Sequence, residues 1–293
     1  MFTRTRIGLQ NFLAGTLGGI GNWAMAVSQG LSQAVLYKFS YTPRPEDVFI
    51  ATAPKSGTTL LQMMLYQLTT DGAMSFPHID SVSPFYELDF LRGAPPGFHD
   101  RLPSPRIFKT HLRYENLPPG VPRVLYMVRD VWDVVLSSYH HECLVTGMDL
   151  NLEMFIDRYL ARQTRFVPWF EHMRSWWPHR DDSNVLFLRY EEAIADLEGT
   201  VRKVAAFCGI PIDETQMPRI VERCGLEFMK RHNEKFDPRL RRVQGEPGTF
   251  IREGKAGKGR QALSERQQQE IARRLDALAQ QLGQNPGELR GSS

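Results

Sequence analysis

A lysine, a serine and two threonines fall within six residues, Pro54-Lys55-Ser56-Gly57-Thr58-Thr59, between the apolar run Val48-Phe49-Ile50-Ala51 and a stretch where Leu60, Leu61, Met63, Met64 and Leu65 recur at helical spacing. That order predicts strand, loop, helix. Free N–H groups at a helix N-terminus, together with the positive end of its dipole, make a ready anion site. A Walker A loop needs a glycine, four intervening residues and then a Gly-Lys-Ser/Thr triplet. Here the lysine precedes the only glycine of the loop by two residues, which points to a different anion, or to the same kind of anion held differently. A motif this short also has a bland reading, a basic turn between strand and helix.

Two further segments argue against the bland reading. Arg123-Val124-Leu125-Tyr126-Met127-Val128-Arg129-Asp130 runs into Trp132, Val135, Leu136, Ser137, Ser138 and Tyr139, a second buried strand that ends in charge and turns into a helix. Ligands of open parallel sheets bind beyond the carboxyl ends of the strands, so Arg129 and Lys55 are expected on one edge. Ser137 lies two helical turns from Arg129, and a guanidinium with a hydroxyl could clasp a second phosphate there. Taken alone, Arg129 fits equally well as a partner of Asp130 or Asp133. Between these strands, Arg106-Ile107-Phe108-Lys109-Thr110-His111-Leu112 places Lys109 and His111 on one face of a short strand. A histidine there is suited to accept a proton near neutral pH, and a lysine beside it balances anionic charge.

With these segments in view, the chain resembles the cytosolic-type sulfotransferases that depend on 3'-phosphoadenosine-5'-phosphosulfate (PAPS). The family's 5'-phosphosulfate loop is similar to residues 54–59, its catalytic strand to Lys109-Thr110-His111, and its 3'-phosphate site to Arg129 through Ser137. Leu188-Arg189-Tyr190-Glu191-Glu192 and Phe250-Ile251-Arg252-Glu253-Gly254-Lys255-Ala256-Gly257 resemble two later motifs, in the same order. The resemblance implies sulfuryl transfer to a hydroxyl of a small, apolar alcohol or phenol, with adenosine 3',5'-bisphosphate as the other product. It implies His111 as base, Lys55 on the leaving oxygen and Lys109 on the sulfuryl oxygens. Ser56, Gly57, Thr58 and Thr59 would hold the 5'-phosphate, and Arg129, Ser137, Arg252 and Gly254 the 3'-phosphate, with Tyr190 near the nucleotide.

Three departures from the pattern stand out. Leu60 occupies the position where the family usually has a tryptophan to stack on adenine, so adenine packing is expected to be aliphatic or supplied by another ring. Glu253 replaces a common lysine and removes a positive charge near the 3'-phosphate. Arg260 through Glu270 carry too little of the family's dimer motif for its dimer to be carried over, and the oligomeric state is left open.

The elements that must position these groups follow from length and pattern. A chain of 293 residues, 42% hydrophobic, can bury one sizeable core. Strands alternating with helical patterns predict a three-layer, P-loop-like α/β fold with a mainly parallel central sheet flanked by helices. Residues 46–282 are expected to form the catalytic domain and 283–293 a flexible tail. A final helix is expected from Ser264 as N-cap toward Leu282. A net charge of +3 is too mild for a nucleic-acid partner and suits a small polyanion. Cys143, Cys208 and Cys224 lack ligand spacing, no metal is called for, and a reducing cytoplasm is the default compartment.

The stretch 71–105, with Phe76, Phe85, Tyr86, Phe90 and Phe98, could line an acceptor pocket, with Tyr139, His140 and His141 adding to it. The aromatics from Phe155 to Trp177 read more readily as core. Residues 235–249 read as a lid. Residues 1–45 show amphipathic spacing weakened by glycines. Arg4, Arg6 and Ala24-Met25-Ala26 mimic an export signal, but Gln10, Asn11 and Asn22 interrupt the apolar run. Docking on the domain or peripheral contact with a membrane surface are the roles left for that segment. Two competing functions remain on the sequence alone: a P-loop kinase of small molecules, for which Asp130 is the nearest Mg²⁺-holding candidate, and a nucleotide-binding relative without catalysis.

Overall fold

Val48–Thr52 (β1), Ile107–Thr110 (β2), Val124–Val128 (β3) and Val185–Arg189 (β4) are apolar runs that form one sheet, ordered β2-β1-β3-β4, with every neighbouring pair parallel. The computed structural model describes residues 41–95, 97–164, 167–238, 249–252 and 257–290. The first forty residues, most of the expected lid, and Glu253 and Gly254 lie outside the described residues.

In chain order the helices are α1 (Thr58–Thr69), α2 (Tyr86–Leu91), α3 (Val131–Thr146), α4 (Leu152–Leu160), α5 (Trp169–Trp176), α6 (Tyr190–Ala195), α7 (Leu197–Cys208), α8 (Met217–Cys224), α9 (Leu226–Arg231), α10 (Lys258–Ala262), α11 (Glu265–Leu282) and α12 (Pro286–Leu289). Parallel strands need crossovers, and the helices that provide them cover both faces, which gives the expected three layers. Alternation along each strand divides the core. Phe49, Ala51, Phe108, Tyr126 and Val128 face Val134, Val135, Trp169, Trp176, Ile271 and Leu275 on one side. Val48, Ile50, Ile107, Leu125 and Met127 face Leu61, Met64, Val201, Val204 and Ile220 on the other. The aromatics from Phe155 to Trp177 among the described residues are core, as their spacing suggested.

Polar contacts fix the ends of these elements. Arg106 clamps Asp47 through Nε (2.8 Å) and Nη2 (2.6 Å) in the interior, which ties together the starts of β1 and β2. Asp130 caps α3 by accepting the N–H of Trp132 at 2.9 Å. Ser264 caps α11 in a capping box with Gln267, at the predicted residue.

The expected C-terminal tail is not a tail up to residue 290. Gly283 ends α11 at φ +65°, α12 follows, and Leu289 is fully buried in the core. Arg189 donates to the carbonyls of Glu288 (2.7 Å) and Arg290 (3.0 Å), so the segment is held against the end of β4. Burial of one leucine and two charged hydrogen bonds hold the segment in place.

Candidate active site

Each strand delivers one side chain to a common cavity at the carboxyl edge of the sheet: Lys55 after β1, His111 after β2, Arg129 after β3 and Tyr190 after β4. The cavity measures about 1540 Å³. Pockets for one drug-sized ligand run roughly 300–1000 Å³, so the space suits two small molecules at once.

The turn between β1 and α1 is built by backbone conformations that few residues adopt. Gly57 has φ +108°, and a Cβ there would lie 2.5 Å from Met127 Sδ and 2.8 Å from Tyr190 Cδ2. Lys55 is itself left-handed, at φ +72°, a strained conformation in a residue whose side chain lines the cavity. Thr59 and Leu60 line the cavity, while the Thr58 hydroxyl is held by Thr52 Oγ1 at 2.6 Å. Ser56 is fully buried, outside the cavity lining, and its hydroxyl has no partner.

Positive side chains gather here: Lys55, Lys109, Arg129, Arg252 and Lys258 all line the cavity. Lys55 Nζ lies 4.2 Å over the Phe250 ring and 3.5 Å from His141 Nδ1. Burial, reinforced by Arg129, Lys109 and Arg252, pushes its pKa down to about 7. Lys109 differs, because its Nζ is paired with the buried Asp80 at 2.7 Å.

The His111 tautomer is decided by its neighbour. Nδ1 lies 2.8 Å from the Thr52 carbonyl, which can only accept, so Nδ1 carries the hydrogen and Nε2 keeps its lone pair. Burial, then repulsion from Lys109 and Lys55, pushes the pKa down to about 4, against the hydrogen bond to Thr52. The neutral ring is therefore the resting form. Its main-chain N–H donates to Glu87 Oε1 at 2.7 Å, and the Thr110 hydroxyl donates to Glu87 Oε2 at 2.8 Å.

A second cationic region surrounds Arg129. Its Nη1 donates to the Lys55 carbonyl at 3.4 Å, its Nη2 lies 3.6 Å from Asp133 Oδ2, and its guanidinium stacks 4.5 Å from the Tyr190 ring centroid. This arginine borders the cavity and pairs with Asp133, one of the two partners its sequence position offered. Its Nε is buried without a partner, and Ser137, Arg252 and Lys258 line the cavity with it. Asp133 also accepts the N–H groups of Gly257 (2.9 Å) and Gly259 (2.7 Å), which fastens the start of α10 to α3. A Cβ on Gly259 would lie 2.2 Å from the Trp132 carbonyl carbon, so only glycine permits this approach.

Several expectations change. Of the five aromatics in 71–105, only Phe85 lines the cavity; Phe76, Tyr86 and Phe90 are core, and Phe98 packs on His99. Of Tyr139, His140 and His141, only His141 lines it. Asp130 is absorbed as the cap of α3 and does not border the cavity. Leu60 is joined by Ile194, Leu197, Leu226 and Met229, an aliphatic lining. Asp80 and Glu87 were not singled out in the sequence. They precede His111 by 31 and 24 residues, inside an insert whose aromatics drew the eye, and no local spacing marks them. No helix among the described residues is long and apolar enough to cross a membrane.

Comparison with known proteins adds to this geometry. Residues 45–285 match the family model described as Sulfotransferase domain. Human Sulfotransferase 4A1 is 36% identical over 200 residues, 63% of this chain and 67% of that protein. The luciferin sulfotransferase of Photinus pyralis is 29% identical over 255 residues, 76% of this chain and 68% of that protein. The chain spans about two thirds of the length of the curated relatives it matches. The crystal structure of retinol dehydratase in complex with androsterone and inactive cofactor PAP aligns with a TM-score of 0.70 at 25% identity, over 81% of this chain and 82% of that one.

Proposed function

From the premise that this chain belongs to the sulfotransferase domain family, as a PAPS-dependent sulfotransferase, we propose that it transfers a sulfuryl group from PAPS to the hydroxyl of a small, apolar alcohol or phenol, with His111 as general base. The observation that carries this reading is the Nδ1–H of His111 fixed on the Thr52 carbonyl, which leaves a basic Nε2 in the same cavity as the Lys55 ammonium. One orphaned polar atom beside the cavity supports the fit of a nucleotide bisphosphate: Arg129 Nε is buried without a partner, and an anionic oxygen is the acceptor it lacks.

When bound, PAPS supplies the sulfuryl group and a phosphate as leaving group. The residues of this chain position and balance charge, as in phosphoryl transfer. His111 Nε2 accepts the proton of the acceptor hydroxyl as its oxygen bonds to sulfur. Lys55 neutralises the electron pair left on the bridging oxygen. Lys109, its side chain fixed by Asp80, would balance charge on the sulfuryl oxygens. Gly57, Thr58 and Thr59 hold the 5'-phosphate with the free N–H groups of α1, and Ser56 supports the turn from behind. Arg129, Ser137 and Arg252 hold the 3'-phosphate, with Lys258 beside them. Leu60, Leu226 and Met229 supply the aliphatic packing for the base. Retinol dehydratase binds androsterone and retinol beside PAP, and by analogy a rigid apolar alcohol is the acceptor class to try first here.

The test is an acceptor screen with labelled PAPS over phenols, sterols, fatty alcohols and sugars, run on the wild type and on His111→Ala. We expect transfer to an apolar hydroxyl compound, with turnover lost by a factor of about 10²–10⁴ in the variant while adenosine 3',5'-bisphosphate still binds. Undiminished turnover in His111→Ala rejects the base assignment.

A further inference from the structure

A nucleobase is identified by hydrogen bonds to its polar edge and held by rings stacked on its faces. The arm of the cavity beside the phosphate loop offers neither among the described residues. Leu60 follows the loop directly, and helices α6 to α9 with their junctions add, besides Tyr190, only Ile194, Leu197, Cys224, Gly225, Leu226 and Met229 to the lining. Leu60, Cys224 and Met229 pack with Tyr190 in one apolar cluster, and Leu197 rests against it. The other polar side chains of the lining come from the loop, from β2 and the insert before it, and from α3 and the segments of Arg252 and Lys258.

The rings and polar groups close to this arm are already engaged. The Tyr190 ring lies against the Arg129 guanidinium at 4.5 Å and the Phe250 ring against the Lys55 ammonium at 4.2 Å, while Phe236 is only 2% exposed. At the junction of α8 and α9 the N–H of Gly225 donates to the Glu222 carbonyl at 3.0 Å, and the Gly225 carbonyl accepts from the Met229 N–H at 3.1 Å. The Cys224 thiol, pushed up to about 12 by burial, stays neutral and a weak donor. We infer that the nucleotide site reads the two phosphates and not the base, so that it takes purine nucleoside 3',5'-bisphosphates whatever polar groups their six-membered rings carry. Apolar contact with Leu60, Leu226 and Met229 holds the ring without identifying it. A site that hydrogen-bonds its substrate rejects an analogue lacking that bond by about 10⁴–10⁵-fold, whereas an apolar pocket separates near-isosteres by only about 10–200-fold. This inference rests on the reading of the cavity as a PAPS site.

Inosine 3',5'-bisphosphate has the size and shape of the adenosine compound but reverses its edge, with an oxygen acceptor in place of the amino donor and an N–H in place of the neighbouring ring acceptor. Calorimetric titration of both into the wild-type protein is expected to give dissociation constants within about 10-fold of each other. A larger preference for either base overturns the inference. Leu226→Ala asks whether the base occupies this arm: affinity for both compounds is expected to fall by the same factor, about 5-fold. Unchanged affinity, or a loss for one compound alone, overturns the inference as well; should the variant fail to fold, the wild-type titration decides. The two readings fail differently. If neither bisphosphate binds the wild type, the PAPS site itself is rejected, whereas binding of the adenosine compound alone leaves that site standing and removes only the tolerance for the base.

Discussion

Glu87 Oε1 accepts the main-chain N–H of His111 at 2.7 Å, while its other oxygen accepts the neighbouring Thr110 hydroxyl at 2.8 Å. A carboxyl group from the start of α2 therefore holds the backbone of the proposed base at its N–H. Burial raises its pKa to about 7, against the opposing pull of these hydrogen bonds and of Lys109.

That raised value has a defined sign in stability. Between pH about 4.5 and about 7 the folded protein keeps a proton that the unfolded chain releases, so the Glu87 contribution falls as pH rises through that window. Glu87→Gln can satisfy both partners, its oxygen taking the His111 N–H and its amide donating to Thr110. We expect the variant to fold, and its stability relative to wild type to be higher at pH 8 than at pH 5. Glu87→Leu strands both donors and should cost about 1–3 kcal/mol. Denaturant midpoints at the two pH values check this; a Gln variant that tracks wild type at both removes Glu87 as the source.

Lys55 titrates in the opposite direction. With its pKa lowered to about 7, it is largely neutral at pH 8, and an incoming polyanion restores its charge. Binding of adenosine 3',5'-bisphosphate at pH 8 should take up a substantial fraction of one proton, less at pH 6 where Lys55 is already charged, and none through this residue in Lys55→Met. Calorimetry in two buffers of different ionisation enthalpy reads the uptake. Equal proton uptake in wild type and Lys55→Met would place the titrating group elsewhere.

Gly57 tests the turn itself. An alanine there meets Met127 and Tyr190 at less than van der Waals distance and must adopt φ +108°. We expect Gly57→Ala to lose about 1–3 kcal/mol of stability and most of its nucleotide affinity. Unchanged affinity would mean that the loop N–H groups do not hold the phosphate.

These residues also mark what can be read from one dimension. The sheet and its edge were legible because buried parallel strands leave continuous apolar runs, and because each run ends in the group it delivers: Lys55, His111, Arg129, Tyr190. Asp80 and Glu87 were not, since an isolated carboxylate in an irregular segment has no period to betray where it points. The docking of Leu289 was equally hidden, because a single leucine among polar residues declares its burial only once β4 and α11 are in place.

Asp133 joins the two halves of the proposed 3'-phosphate site. Its carboxylate accepts from Gly257 and Gly259 at 2.9 and 2.7 Å, and faces Arg129 at 3.6 Å, so three partners from two separate segments converge on one charged group. Asn can accept through one oxygen only; its amide nitrogen would confront an N–H, and the ion pair with Arg129 would be lost. We therefore expect Asp133→Asn to weaken binding of adenosine 3',5'-bisphosphate by about 10-fold or more, as loss of a charged hydrogen bond of about 1.5–3 kcal/mol implies. Binding of adenosine 5'-phosphate, which lacks the 3'-phosphate, should change far less. Titration of both nucleotides distinguishes the outcomes. Equal weakening of the two would show that Asp133 supports the fold of α3 and α10 in general, and that Arg129 does not depend on it to meet the 3'-phosphate.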